Sequence, residues 1–167
     1  NKDLLKKVGY DSIPATWDEF LTMCGKLKAA GITPYLEPKD GLGNAVEGWI
    51  GAESAKQGEA LDAKIDAGKD TFKNVYGKYY GEWDKLIKQN LMSSDVSGLS
   101  GDQVKSEFTA GRLAVYPSGS WDIDSFNETG LNYGFGQIPM LKKGDTPYAP
   151  GSIDPAFGIN NKISGDK

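Results

Sequence analysis

The residues best suited to do chemistry gather between Phe108 and Phe126, where the chain reads FTAGRLAVYPSGSWDIDSF. Within it, Gly119, Ser120 and Trp121 place a flat apolar indole beside hydroxyl and amide groups. That pairing suits a sugar, whose C–H faces stack on an aromatic ring while its hydroxyls need hydrogen-bond partners. The elements that must present these residues are legible around them. Gly111 closes a helix, Leu113-Ala114-Val115-Tyr116 is an apolar strand, Pro117-Ser118-Gly119-Ser120 is a turn, and a new helix opens at Trp121. Ser120 is expected to cap that helix, Gly119 to let the backbone turn, and the first free N–H groups to point out of the strand end. In an open α/β sheet, ligands bind at that edge. The same junction has a plainer reading: glycine and serine are common between strand and helix, and a Trp in the first helical turn often only packs against the sheet.

Other chemistries are poorly supplied. The chain has no histidine, which excludes Ser-His-Asp and Cys-His catalysis within it, together with the common zinc sites. Its one cysteine, Cys24, allows no internal disulfide and lies at helical spacing with Phe20 and Leu27, as a buried structural thiol would. Carboxylates at Asp122, Asp124, Glu128 and Asp154 could in principle form a glycosidase pair, but acidic residues at a helix start usually serve the helix dipole. A calcium loop at Asp122-Ile123-Asp124-Ser125-Phe126 fails because Phe126 stands where an oxygen ligand belongs and the loop glycine and terminal Glu are missing. The sequence therefore implies no catalytic residue, no metal and no cofactor.

Composition narrows the partners. The chain has 167 residues and a formal net charge of −4, enough for one core and short for a two-domain enzyme. Its lysines are not concentrated enough to follow a phosphate backbone, so nucleic acid is not an expected partner. No apolar run approaches the roughly 20 residues of a membrane helix, and no stretch reads as a signal peptide, which the N-terminus of a longer protein would be expected to carry. The first residues already read as a helix turn, and the last stop where another element should begin, so both ends look cut.

Along the chain, Thr16 and Glu19 form the pattern of a capping box before the stripe Phe20, Met23, Cys24 and Leu27, and Gly31 stops that helix. Ile32 to Leu36 follows as a short strand, with Pro34 favouring an edge. A charged, glycine-rich loop from Glu37 to Gly43 leads to a helix carrying Val46, Trp49 and Ile50; Trp49 is either core filler or a second aromatic wall of the site. Gly58 to Gly68 is a connector with a short helix. Phe72, Val75, Tyr76, Tyr79, Trp83, Leu86 and Ile87 recur at helical spacing and predict a buried stripe. Ser93 to Gly101 is a small-residue loop, and Asp102 to Ala110 a further helix. Tyr133 to Pro139 alternates as a strand would, and a last apolar strand is expected at Ala156 to Ile159. Helices alternating with short strands give an α/β fold, with helices packed around a short mixed sheet.

The chain resembles the extracellular solute-binding proteins of ATP-driven importers, in particular their carbohydrate-binding group, family 1. The resemblance rests on Asn1 to Tyr10, on Pro14-Ala15-Thr16-Trp17-Asp18-Glu19-Phe20, and on Leu27 to Pro34. It continues through Phe108 to Val115 with Gly119-Ser120-Trp121, then Gly134 to Pro139, and Gly151 to Ile159. It implies a type II periplasmic-binding-protein fold, in which two lobes clamp a ligand between them, and makes 1–167 a single lobe, mainly the second, with 151–167 starting the crossover towards the first. It also implies that Trp121 lines the cleft with Gly119 and Ser120, and that Gly151, Ser152 and Asp154 contribute from their loop. Val115-Tyr116-Pro117 departs from the Met and small residues usual there. The resemblance further implies a carbohydrate ligand, membrane permease subunits as partners, a monomer, and an extracellular, periplasmic or surface-anchored location. Competing with that reading are the carboxylate-dependent glycoside hydrolase and a structural or partner-docking domain without ligand.

Overall fold

The computed structural model describes residues 1–148. Helix α1 (Lys2–Lys6) is capped by Asn1, whose side-chain oxygen accepts from the Leu4 N–H at 3.1 Å. Helix α2 (Trp17–Ala29) buries the expected stripe of Phe20, Met23, Cys24 and Leu27, and adds Trp17 to it. Burial pushes the Cys24 thiol up to about 12, which leaves it an inert core residue. The Thr16 hydroxyl does not cap the helix but donates to Glu19 Oε2 at 2.9 Å, so the expected capping box closes between side chains instead. A capping box is found instead at Ser100 and Gln103, where the helix Gly101–Thr109 begins.

Gly31, at φ 74°, turns the chain out of α2 and into strand β1 (Thr33–Tyr35). Helix α3 (Asn44–Gln57) follows, then α4 (Leu61–Asp66), α5 (Phe72–Trp83) and the short α6 (Lys85–Lys88). Helix α7 (Gly101–Thr109) returns the chain through Gly111 to strand β2 (Leu113–Val115), and α8 (Ile123–Glu128) comes next. The two strands pair in parallel, Thr33 opposite Leu113 and Tyr35 opposite Val115. Each is fed by a helix packed on the sheet, α2 for β1 and α7 for β2, so the two strand ends open onto one common edge. Among the described residues the sheet is this parallel pair.

The core centres on Trp17, stacked on Phe20 at 5.2 Å and meeting Trp49 edge-on at 4.8 Å. Both indole N–H groups are satisfied inside it, Trp17 donating to the Glu82 carbonyl at 3.2 Å and Trp49 to the Pro139 carbonyl at 2.8 Å. Helix α5 buries Val75, Tyr76 and Tyr79 as its pattern predicts. Its ends depart from the pattern: Phe72 is 57% exposed, stacked on Tyr76, and Trp83 is only half-buried.

Residues 133–139 do not form the expected strand. The segment is pinned at its ends, by the Lys2 N–H donating to Asn132 O at 2.8 Å and the Met140 N–H to Ala15 O at 2.9 Å. Between those pins it passes close over Lys2 and Ile13, where an added Cβ on Gly134 or Gly136 would lie 2.7 and 2.9 Å from their side chains. Its backbone follows that surface rather than a neighbouring strand. The expected strand at Ala156 to Ile159 and the crossover at 151–167 lie outside the described residues.

Candidate functional site

Both parallel strands deliver their following loops to the same edge, and the two loops are built differently. The β1 loop is fixed by a buried carboxylate. Glu37 is fully buried, and its Oε1 accepts from the Tyr35 hydroxyl at 2.6 Å. Its Oε2 accepts from the Gly43 N–H at 2.8 Å and from Trp83 Nε1 at 2.9 Å. Burial raises the Glu37 carboxyl above its ordinary range, against the opposing pull of those donors. One side chain thereby joins the end of β1, the start of α3 and the end of α5. The loop read from the sequence as merely charged and glycine-rich is held by its first residue.

The β2 loop carries the sequence-predicted residues. Trp121 is 79% exposed, while Asp122, the next residue, is 6% exposed. The indole folds back over Gly119: a Cβ built there would lie 2.4 Å from the ring atoms Cη2 and Cζ3 of Trp121. Gly119 has φ −137° and ψ −169°, ordinary extended backbone. Its lack of a side chain matters because the indole occupies that space, not because the turn demands it as expected. The helix also opens later than expected. Residues Ser120–Asp122 form a single 3-10 turn, α8 starts at Ile123, and Ser120 is exposed without a capping bond.

Beside this loop is a cavity of about 170 Å³, lined among others by Tyr35, Asn44, Tyr116, Ser118, Phe135 and Gln137. It mixes aromatic faces with a hydroxyl and amide side chains, as a polyol pocket requires. Burial holds the Tyr116 phenol above its ordinary value, so it stays a neutral hydrogen-bonding group. Gly119, Ser120 and Trp121 lie on the same loop as Tyr116 and Ser118, outside the cavity lining. Sequence reasoning passed over Asn44, Ser118 and Gln137 as site residues, and met Tyr116 only within a departure from the family pattern that would reshape the pocket floor. Asn44 opens α3 at the same strand edge, a signal that could have found it.

Trp49 is not brought to this site. Its ring is 2% exposed and packed against Trp17, so the choice between core filler and second wall falls to core in this lobe. Gly151, Ser152 and Asp154 lie outside the described residues. Of the carboxylates considered for glycoside hydrolysis, Asp122 is engaged by Lys105 and Ser118, while Asp124 and Glu128 face solvent. Among the described residues no helix is long and apolar enough to cross a membrane.

Parallel βα units opening onto one edge, with an exposed aromatic and a polar cavity there, are one lobe of a type II solute-binding fold. The chain belongs to the bacterial extracellular solute-binding protein family, whose model matches residues 1–162. A family 1 extracellular solute-binding protein from Bifidobacterium longum subsp. infantis superposes with a TM-score of 0.79 at 36% identity, over 87% of this chain and 38% of that one. The galactooligosaccharide-binding protein of Bacillus subtilis is 36% identical over 61 residues, 36% of this chain and 14% of the relative. The sn-glycerol-3-phosphate-binding periplasmic protein UgpB of Brucella abortus is 28% identical over 150 residues, covering 85% of this chain. The chain spans 33% of that last protein's length, so it corresponds to a part of such receptors.

Proposed function

We propose that this chain is a lobe of a receptor that captures a sugar or oligosaccharide between two lobes and delivers it to the permease of an ATP-driven importer. It acts by binding and does no chemistry on the ligand. The observation that carries the reading is the Trp121 indole, 79% exposed at the open edge of the sheet where a ring face can be stacked upon. Gly119 gives that indole its seat, and Ser120 adds a hydroxyl. Tyr116, Ser118, Asn44 and Gln137 supply further polar partners, and the family resemblance adds Gly151, Ser152 and Asp154 as ligand contacts. The receptor works as a monomer outside the cytoplasm, periplasmic or anchored at the cell surface.

A second reading, a phosphorylated glycerol, is favoured by the relatives named as sn-glycerol-3-phosphate-binding proteins. A phosphate needs cations or free N–H groups at the site. The Lys105 ammonium next to the turn is already paired with Asp122 at 2.6 Å, whereas Lys2 lines the cavity itself, so the phosphate is carried as the second arm of the test.

The test is a thermal-shift screen of the full-length receptor against mono- and oligosaccharides, with sn-glycerol 3-phosphate as the charged arm, because a ligand bound to the native state raises its apparent stability. A carbohydrate is expected to shift the melt and the phosphate not to. A shift with the phosphate alone overturns the carbohydrate reading. Calorimetry on the isolated lobe is expected to show far weaker binding than the complete receptor, since half the contacts and the closure are lost.

A further inference from the structure

The exposed Trp121 has little of its own to hold it: most of the ring is in solvent, and what it touches is the bare backbone of Gly119. Its pose must come from its neighbours in the chain, and one of them is unusually well fixed. Asp122 is buried, and its carboxylate spans the loop. Oδ2 accepts from the Ser118 hydroxyl, tying the start of the turn to its end. Oδ1 accepts from Lys105 Nζ at 2.6 Å, tying the turn to α7 on the preceding limb. The main chain adds to this, the Asp122 N–H donating to Gly119 O at 3.2 Å and the Ser125 hydroxyl to Asp122 O at 2.9 Å. Lys105 is itself placed by α7, with its ammonium 5.9 Å from the centre of the Phe126 ring. A carboxylate this buried keeps its geometry only while its cation is present, since an unpaired buried charge is costly.

We propose that Asp122 and Lys105 are positioning residues: their ion pair, with Ser118, sets the pose of Trp121 and through it the affinity of the site, without either group touching the ligand. The proposal rests on the reading of Trp121 as the stacking surface. It explains why a half-buried ion pair fixes the residue that follows the most exposed aromatic side chain of the described residues. It also assigns the Asp122 carboxylate a structural task in place of a catalytic one.

The test uses the full-length receptor labelled with 5-fluorotryptophan, the Trp121 resonance being assigned from Trp121→Phe. Lys105→Met, which keeps the aliphatic stem, and Asp122→Asn, which keeps the size, are each expected to shift or broaden the Trp121 resonance and to leave that of Trp49 in place. Lys105→Arg is expected to restore the native signal. Affinity for a galactooligosaccharide, measured by calorimetry, is expected to fall roughly tenfold in either variant. In a Trp121→Ala background the same substitutions are expected to change it less than about twofold, because residues acting through one partner are non-additive. A Trp121 resonance indifferent to both substitutions overturns the proposal even if the probe does not bind. Equal fold-losses in the two backgrounds overturn it while leaving the stacking surface intact. An unchanged affinity in Trp121→Ala alone removes the stacking surface and the proposal together.

Discussion

Replacing Trp121 by alanine separates a binding surface from a core residue, and the structure sets the magnitudes. With 79% of the residue exposed, about a fifth of the roughly 150–250 Å² an aromatic side chain can bury is at stake. At about 25 cal/mol per Å² that is about 1 kcal/mol of folding stability. For a domain of this size the melting temperature should fall by roughly 2–4 °C. Trp49→Ala is the control, because its ring is 2% exposed, edge-on to Trp17, and donates to the Pro139 carbonyl. A buried Trp cut to Ala costs about 3–5 kcal/mol, a drop of roughly 6–20 °C. Trp83, which the sequence pattern placed in the core, is a poor control because it is half-buried and bonded to Glu37. Affinity should reverse the order: Trp121→Ala in the complete receptor should lose about 1–3 kcal/mol, the scale of aromatic stacking on nucleic-acid bases. Thermal melts of the lobe and calorimetry on the receptor measure the two sides. If Trp121→Ala melts as early as Trp49→Ala while the folded receptor binds its sugar normally, the assignment of the site is wrong.

Three further substitutions, at two positions, probe the loops at the same edge. Glu37 has its carboxyl raised by burial, so the folded state holds the proton more tightly than the unfolded chain does. That contribution is fully present below the ordinary carboxylate value and is lost as the pH rises through the raised one. Denaturant melts of Glu37→Gln from pH 4 to 7 should therefore show a flatter loss of stability with rising pH than the parent. A steeper loss in the variant would contradict the sign. Glu37→Ala should cost several kcal/mol at any pH, at about 1–3 kcal/mol for each donor left buried and unpaired among Tyr35, Gly43 and Trp83. Gly119→Ala puts a methyl where the indole lies, yet its backbone angles suit any residue. Stability should fall by no more than the about 1 kcal/mol of Trp121→Ala, since only the ring's own seat is lost, while affinity falls towards that of Trp121→Ala. An unchanged affinity in calorimetry would show that the seat of the ring does not matter.

What the sequence determines by itself is what neighbours along the chain decide. The stripe of Phe20, Met23, Cys24 and Leu27 lies at helical spacing, and a helix with that face has to bury it wherever it docks. Gly31 and Gly111 end helices because a left-handed residue is needed there, a local requirement that the fold then meets at φ 74° and 75°. The apolar run from Leu113 to Val115 and the exposed turn after it are equally local, which is why Trp121 could be singled out before any contact was known. Tertiary structure decides whatever depends on a partner distant in sequence. Trp49 and Trp121 both follow a strand end, but α2 and the segment near Pro139 close over one and nothing among the described residues covers the other. Glu37 reads as a solvated loop charge until Trp83 and Gly43 arrive to bond it. The alternation at 133–139 has the period of a strand, yet a strand exists only where another edge offers its ladder. Here the chain is claimed first by Lys2 and Ala15 at its two ends.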